Sequence, residues 1–193
     1  QWKSCEKPDD GRRAGASAAG SRMGPVEAST APIRRIGVVL KGSSPEALEL
    51  GRQLLAELER LGLESRLDAE SAAVLGCANG CDRGSLAARV DLVVVLGGDG
   101  TLLSVAHGCL GGTPILGINM GTLGFLTEHP PESLLPMLNA TLAGRTAVER
   151  RERFEVEVVS PKRETISRLA LNDAVITKAA LARIVTLTAH VND

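Results

Sequence analysis

Blocks of apolar and polar positions alternate along residues 33–148 and predict strands and helices in turn. The apolar run at residues 36–40 predicts a strand. Residues 41–45 then supply a hydroxyl cap and a proline at the first helical position, so a helix is expected to run to about Leu61, before Gly62. Its apolar stripe consists of Leu48, Leu54, Leu55, Leu58 and Leu61.

The same alternation continues toward the middle of the chain. Further strands are predicted at residues 63–67, 91–96 and 114–118. Further helices are predicted at 101–109 and over about twelve residues that end near Gly144. Residues 72–85 are too small and too glycine-rich to assign. Strands that alternate with helices are typical of a parallel sheet covered by helices, so we expect an α/β, Rossmann-like fold with ligands at the carboxyl ends of the strands.

The pattern changes on either side of this block. Residues 154–159 and 184–188 alternate apolar and polar side chains, which predicts half-buried antiparallel strands. We therefore expect an α/β domain at 33–148 and the beginning of a β-rich domain, a β-sandwich, at 149–193. Residues 1–32 are rich in Gly, Ala, Ser, Arg and Pro and predict a flexible tail.

Composition excludes several classes of function. The 193 residues carry a net charge of -1 with a pI of about 6.4, so no overall field attracts nucleic acid or an anionic membrane. Aromatic residues make up 2% of the chain, which argues against base-stacking platforms. No apolar run approaches the roughly 20 residues that span a bilayer. We expect a cytoplasmic protein without nucleic-acid or membrane partners.

Cysteine and histidine positions predict no metal site. Cys77 and Cys81 form a single C-x-x-x-C pair, without a second pair or a nearby histidine. The remaining cysteines and the histidines are scattered: Cys5, Cys109, His107, His129 and His190. We interpret the three histidines as structural or surface residues.

A glycine turn is the clearest candidate site. Gly97-Gly98-Asp99-Gly100-Thr101 separates two apolar runs. Three glycines let a ligand approach the backbone closely, and a helix that opens here directs its amide groups at an anion such as phosphate. Asp99 suits a base that takes a proton from a hydroxyl, or a ligand for the metal that accompanies a nucleotide. The alternative is a tight turn in which Asp99 only caps the helix.

Two further segments carry candidate binding residues. Residues 117–128 contain three glycines that form a backbone-lined wall, and Phe125 either stacks on a planar ring or belongs to the core. Residues 170–176 contain Asn172 and Asp173 within an apolar run. An amide reads a purine edge and a carboxylate reads a ribose diol; an Asx turn is the alternative.

Together these three segments resemble the NAD kinase family, over about residues 34–193. Lys178 and the pair Ala182-Arg183 extend the match beyond Asn172 and Asp173. The glycine turn alone is shared with diacylglycerol and sphingosine kinases, whereas the other two segments are more specific. Family members continue beyond this point, so we expect the chain to be an N-terminal fragment with little activity of its own.

The resemblance implies phosphorylation of the adenosine ribose 2′-hydroxyl of NAD to give NADP. The donor would be ATP or polyphosphate, with a divalent cation, usually Mg²⁺, on the phosphates. Asp99 would be the proton acceptor, and Phe125 would lie against the adenine. The other nucleotide contacts would be Gly98, Gly100, Asn172, Asp173 and Arg183, with Thr101 helping to form the helix cap. The full-length form would be a homo-oligomer. A lipid kinase, or a nucleotide-binding remnant without turnover, is the alternative.

Overall fold

The computed structural model describes residues 32–42, 44–109, 112–122, 124–159, 165–176 and 188. The strands are β1 (Arg35–Leu40), β2 (Glu64–Asp68), β3 (Gly80–Cys81), β4 (Leu92–Gly97), β5 (Ile115–Asn119), β6 (Phe154–Val159) and β7 (Thr165–Ala170). The α-helices are α1 (Pro45–Arg60), α2 (Ala69–Leu75), α3 (Arg83–Leu86), α4 (Asp99–Ala106) and α5 (Leu134–Leu142), with 3-10 turns at Ala87–Arg89 and Pro131–Ser133.

The first five strands form one parallel sheet. Their order is β3-β2-β1-β4-β5, and Val38 lies opposite Val94, which in turn lies opposite Leu116. Because the strands are parallel, β1, β4 and β5 all end at the same edge of the sheet. The α/β fold expected from the sequence is confirmed.

Helices cover both faces of this sheet. Leu92, Val94 and Leu96 of β4 pack on one face with residues of α1 and α5, whereas Val93 and Val95 pack on the other with residues of α4. All five side chains are buried. A strand buried on both faces needs an unbroken apolar run, which is why β4 was clear from the sequence.

Helix α1 begins and ends where its local signals predict. The Ser44 side chain accepts a hydrogen bond from the amide of Ala47 at 3.3 Å, and Pro45 occupies the first turn. Gly62, which follows the helix, has a φ of 68°. Such a left-handed residue is a common helix end and favours glycine. Leu61, expected in the apolar stripe, is exposed.

Residues 72–85, unassigned from the sequence, belong to short elements around a buried ion pair. Asp68 caps α2 by accepting a hydrogen bond from Ser71, and Asp68 also binds the Arg83 guanidinium, with N–O distances of 2.5 and 2.8 Å. The elements here are two to seven residues long, so they show no helical or strand period. Their position depends on this contact across 15 residues of chain.

Strands β6 and β7 form a separate antiparallel pair, in which Phe154 lies opposite Ala170. β7 was not predicted from the sequence, and the strand expected at 184–188 lies outside the described residues except for residue 188. Residues 1–31 also lie outside them. The division into domains at 33–148 and 149–193 stays a prediction. Over the part of the chain that is described, no helix has both the length and the apolar character needed to cross a membrane.

Candidate functional site

The glycine turn joins β4 to α4 at the carboxyl edge of the sheet. Gly97 ends the strand, Gly98 is the N-cap residue, and Asp99 starts the helix two residues earlier than predicted. No side chain caps α4. The cap alternative for Asp99 is therefore wrong, and so is the expectation that Thr101 helps to form the cap.

The glycines of the turn are not explained by backbone strain. Among them, neither Gly97 nor Gly98 nor Gly100 has a positive φ. A Cβ atom added at Gly98 or Gly100 would meet no heavy atom within 4 Å, whereas one at Gly97 would stand 2.6 Å from Oγ1 of Thr101. Gly97 is thus needed for packing, and the other two leave open space above the start of the helix.

The Asp99 carboxylate is held by a loop that lies 26 to 28 residues further along the chain. The amide of Phe125 donates to Oδ2 at 2.8 Å. The amides of Leu126 and Thr127 donate to Oδ1 at 3.0 Å each, and the Thr127 hydroxyl donates to the same oxygen at 3.1 Å. The turn and the loop therefore form one site.

These contacts set the charge state of Asp99. Partial burial raises the pKa of the carboxyl group, but the hydrogen bonds from Phe125, Leu126 and Thr127 lower it by more, so the pKa lies below its ordinary value. Asp99 is therefore ionised at neutral pH. It can accept a proton or a hydrogen bond but has none to donate.

Asn119 anchors the loop from the end of β5. Its Nδ2 donates to the carbonyls of Thr122 at 2.9 Å and Thr127 at 3.2 Å, and its Oδ1 accepts from the amide of Gly121 at 2.9 Å. Asn119 and Thr127 are both buried. The sequence reasoning did not select either residue, although a polar residue at the end of an apolar strand was a usable signal.

Gly124 lets the loop approach Asp99. A Cβ atom at this position would collide with Oδ1 of Asp99 and would stand 2.7 Å from its carboxyl carbon. Such overlap requires the carboxylate or the loop to move. Only glycine at position 124 therefore allows this contact with Asp99.

Phe125 presents its ring to solvent, with 86% of the residue exposed. The core alternative for Phe125 is therefore wrong. Its backbone amide holds Asp99 while the ring projects away from the packed interior. The two predicted site residues are thus adjacent in space although 26 residues apart in the chain.

Asn172 and Asp173 are exposed and follow β7. Neither side chain makes a hydrogen bond with another described residue, so the Asx-turn alternative has no support there. Nearby, Leu169 and Leu171 line a shallow pocket together with Leu103 and Ala106 of α4. Lys178, Ala182 and Arg183 lie outside the described residues.

Among the described residues, no group of three or more His, Cys, Asp and Glu side chains is arranged to hold a metal ion. Cys77, Cys81 and Cys109 form no disulfide. Asp99 is the acidic residue in the first turn of α4. Its Oδ2 accepts from a single described donor, so it has room for a further ligand.

Comparison with known proteins identifies relatives of this site. Residues 83–146, which include both the turn and the loop, match the model of the ATP-NAD kinase N-terminal domain. The NAD kinase of Syntrophotalea carbinolica is 40% identical over 162 residues, which cover 83% of this chain and 57% of the relative. The NAD kinase of Solibacter usitatus is 37% identical over 163 residues, covering 83% and 56%. The chain therefore spans little more than half the length of these relatives.

The fold has a solved counterpart in yeast NADH kinase complexed with NADH. The two align with a TM-score of 0.62 at 20% identity, over 74% of this chain and 48% of the yeast chain. At this identity the likeness concerns the fold alone. The sequence relatives confirm the resemblance drawn from the sequence: the chain is similar to NAD kinases over 83% of its length, and residues 83–146 match their N-terminal domain.

Proposed function

We propose that the protein phosphorylates the adenosine ribose 2′-hydroxyl of NAD, with ATP as the phosphoryl donor, to give NADP. The observation that carries the proposal is the ionised Asp99 carboxylate at the open start of α4, oriented by the loop at 124–127. Relatives named NAD kinase support the choice of substrate.

Asp99 is the proton acceptor in this reaction. The ribose hydroxyl gives its proton to the carboxylate while its oxygen forms a bond to the γ-phosphorus. The bond between that phosphorus and the bridging oxygen breaks, and ADP leaves with the electron pair. The lowered pKa makes Asp99 a weak base, so its main contribution is to orient the hydroxyl and to accept the proton as the oxygen loses it.

The start of α4 accepts the phosphates or the ribose. No side chain caps the helix, and the space above Gly98 and Gly100 is open. Glycine in a helix costs about 0.5–1 kcal/mol relative to alanine, so Gly100 is better explained by a ligand that needs this space. Amide groups at a helix start favour anions by about 0.3–1 kcal/mol.

The site fits a magnesium ion that arrives with the nucleotide. Mg²⁺ is usually bound largely by substrate phosphates and water, and the described residues hold no group of three or more His, Cys, Asp and Glu side chains that would bind it without them. The ion would offset the negative charge of the phosphates. This chain's own part is to supply the open turn in which the phosphates and the ion would lie.

The remaining residues complete the proposal. Thr101 supports the turn by packing on Gly97. The exposed Phe125 ring would lie against the adenine, and Asn172, Asp173 and Arg183 would hold the nucleotide. Polyphosphate as a donor, a homo-oligomeric state and a cytoplasmic location stay predictions. The relatives do not favour a lipid kinase.

The test is NADP formation by the full-length protein carrying Asp99→Asn, with ATP or polyphosphate and Mg²⁺. We expect a fall in rate of about 10²–10⁴-fold, the usual effect of losing a general base, with NAD binding by calorimetry nearly unchanged. Asp91→Asn, at the opposite edge of the sheet, is the matched control. A variant that keeps more than about a tenth of the rate would show that Asp99 is not the base. Binding without turnover in the wild type would favour the nucleotide-binding alternative, and phosphorylation of diacylglycerol would favour the lipid kinase.

A further inference from the structure

The two oxygens of the Asp99 carboxylate are in different surroundings. Oδ1 accepts three hydrogen bonds, from the amides of Leu126 and Thr127 and from the Thr127 hydroxyl. Oδ2 accepts one, from the amide of Phe125. An ionised carboxylate offers about two acceptor positions on each oxygen. Oδ1 is therefore saturated, and Oδ2 keeps a free position.

Thr127 is the main cause of this difference between Oδ1 and Oδ2. It is fully buried, and it supplies two of the three donors to Oδ1. Its backbone carbonyl is held by the buried side chain of Asn119 at 3.2 Å. On the other side, a Cβ atom at Gly117 would stand 3.1 Å from the Thr127 methyl group, so only glycine in β5 leaves this much room. The position of Thr127 is thus determined by its contacts with Asp99, Asn119 and Gly117.

We propose that Thr127 is a positioning residue that fixes the Asp99 carboxylate through Oδ1, so that Oδ2 is the oxygen that receives the substrate proton. The inference rests on the proposed function. In the reaction, the bond between hydrogen and the ribose oxygen breaks as the bond between hydrogen and Oδ2 forms. Oδ1 stays bound to the loop throughout.

A purely structural role for Thr127 would give a different result. In either role the loss of the hydroxyl raises the pKa of Asp99, because one hydrogen bond to the ionised form is removed. If the hydroxyl only tied the loop to α4, stability would fall and kcat would stay unchanged. If it positions the carboxylate, kcat falls while KM for NAD stays nearly the same, so the split between kcat and KM separates the two roles.

The experiment compares Thr127→Val, which removes the hydroxyl, with Thr127→Ser, which keeps it. The control is Thr113→Val, which also removes a threonine hydroxyl that donates a hydrogen bond, here to the carbonyl of Ala87 at 2.9 Å. Thr113 precedes β5 and lies away from the glycine turn. The Asp99 pKa is followed by carbon NMR of the carboxyl group in full-length protein without nucleotide, with its signal assigned from Asp99→Asn. NADP formation is measured in parallel.

For Thr127→Val we expect a higher Asp99 pKa and a kcat about tenfold lower, with KM for NAD within about twofold. Thr127→Ser and Thr113→Val should match the wild type in both measurements. An unchanged kcat or an unchanged Asp99 pKa in Thr127→Val would overturn the proposal, and so would a Thr127→Ser variant as impaired as Thr127→Val. If Thr127→Val does not fold, Thr127→Ala against Thr127→Ser gives the same comparison.

The result can be separated from the proposed function. If the wild type forms no NADP but the Asp99 pKa still rises in Thr127→Val, the hydrogen bond from Thr127 to the carboxylate stands and the assigned reaction is wrong. If NADP is formed and lost in Asp99→Asn but the pKa does not respond to Thr127→Val, the reaction stands and the role of Thr127 is wrong.

Discussion

Gly124→Ala is expected to break the contact between the loop at 124–127 and Asp99, because the three atoms nearest to the added Cβ all belong to the Asp99 carboxylate. The added Cβ would overlap Oδ1 and stand 2.7 Å from the carboxyl carbon and 2.9 Å from Oδ2. Carbon atoms in contact prefer about 3.5–4.0 Å, so the carboxylate or the loop has to move by most of an ångström. Gly124 has no positive φ, so the effect comes from this collision and not from backbone strain.

The size of the effect follows from the hydrogen bonds that such a movement stretches. The four donors lie 2.8–3.1 Å from the carboxylate oxygens. A bond lengthened beyond about 3.5 Å contributes little. Hydrogen bonds to charged groups contribute about 1.5–3 kcal/mol each, and water recovers part of this at a half-buried group. Loss of two bonds should lower the free energy of unfolding by about 2 kcal/mol.

The assay is urea unfolding at several pH values, with Gly121→Ala as the control. At Gly121 the nearest atom to an added Cβ is Oδ1 of Asn119 at 4.0 Å, so this variant should stay within about 0.5 kcal/mol of the wild type. Because the folded pKa of Asp99 is lowered, its stabilisation is present above the ordinary value of 3.8 and is lost as the pH falls through the folded pKa. The deficit of Gly124→Ala should therefore shrink in acid. Equal stability of the two alanine variants at pH 7 would refute the reasoning.

Two further outcomes are expected. Gly100→Ala should keep or slightly raise the free energy of unfolding, because the added Cβ meets no described atom within 4 Å. The same variant should weaken nucleotide binding measured by calorimetry. Unchanged binding would mean that no ligand uses this space. Asp91 is bound by the Arg35 side chain and by the amides of Arg34 and Arg35, which lower its pKa from 3.8 to about 2. The stabilisation by ionised Asp91 should be complete above about pH 4 and lost toward pH 2. In Asp91→Asn, the free energy of unfolding should therefore fall less steeply between about pH 4 and pH 2 than in the wild type. An equally steep fall in the variant would contradict this.

The sequence predicted those features that depend on neighbouring residues. The start of α1 is set by Ser44 and Pro45, and its end by Gly62. The buried strand β4 was predicted because an uninterrupted apolar run suits a strand covered on both faces. Asp99 was selected because a carboxylate between glycines, directly after such a strand, is visible without any tertiary information.

The tertiary structure decided which distant residues meet. Four hydrogen bonds tie Asp99 to residues 125–127, and the buried pair Asn119 and Thr127 fixes that loop. The start of α4 at Asp99, the pairing of β7 with β6 and the exposure of the Phe125 ring were likewise not predictable from local pattern. Periodicity reports only which face of an element is apolar. Which polar group finds a partner 26 residues away depends on how the strands order in the sheet, and that order is set by packing across the whole core.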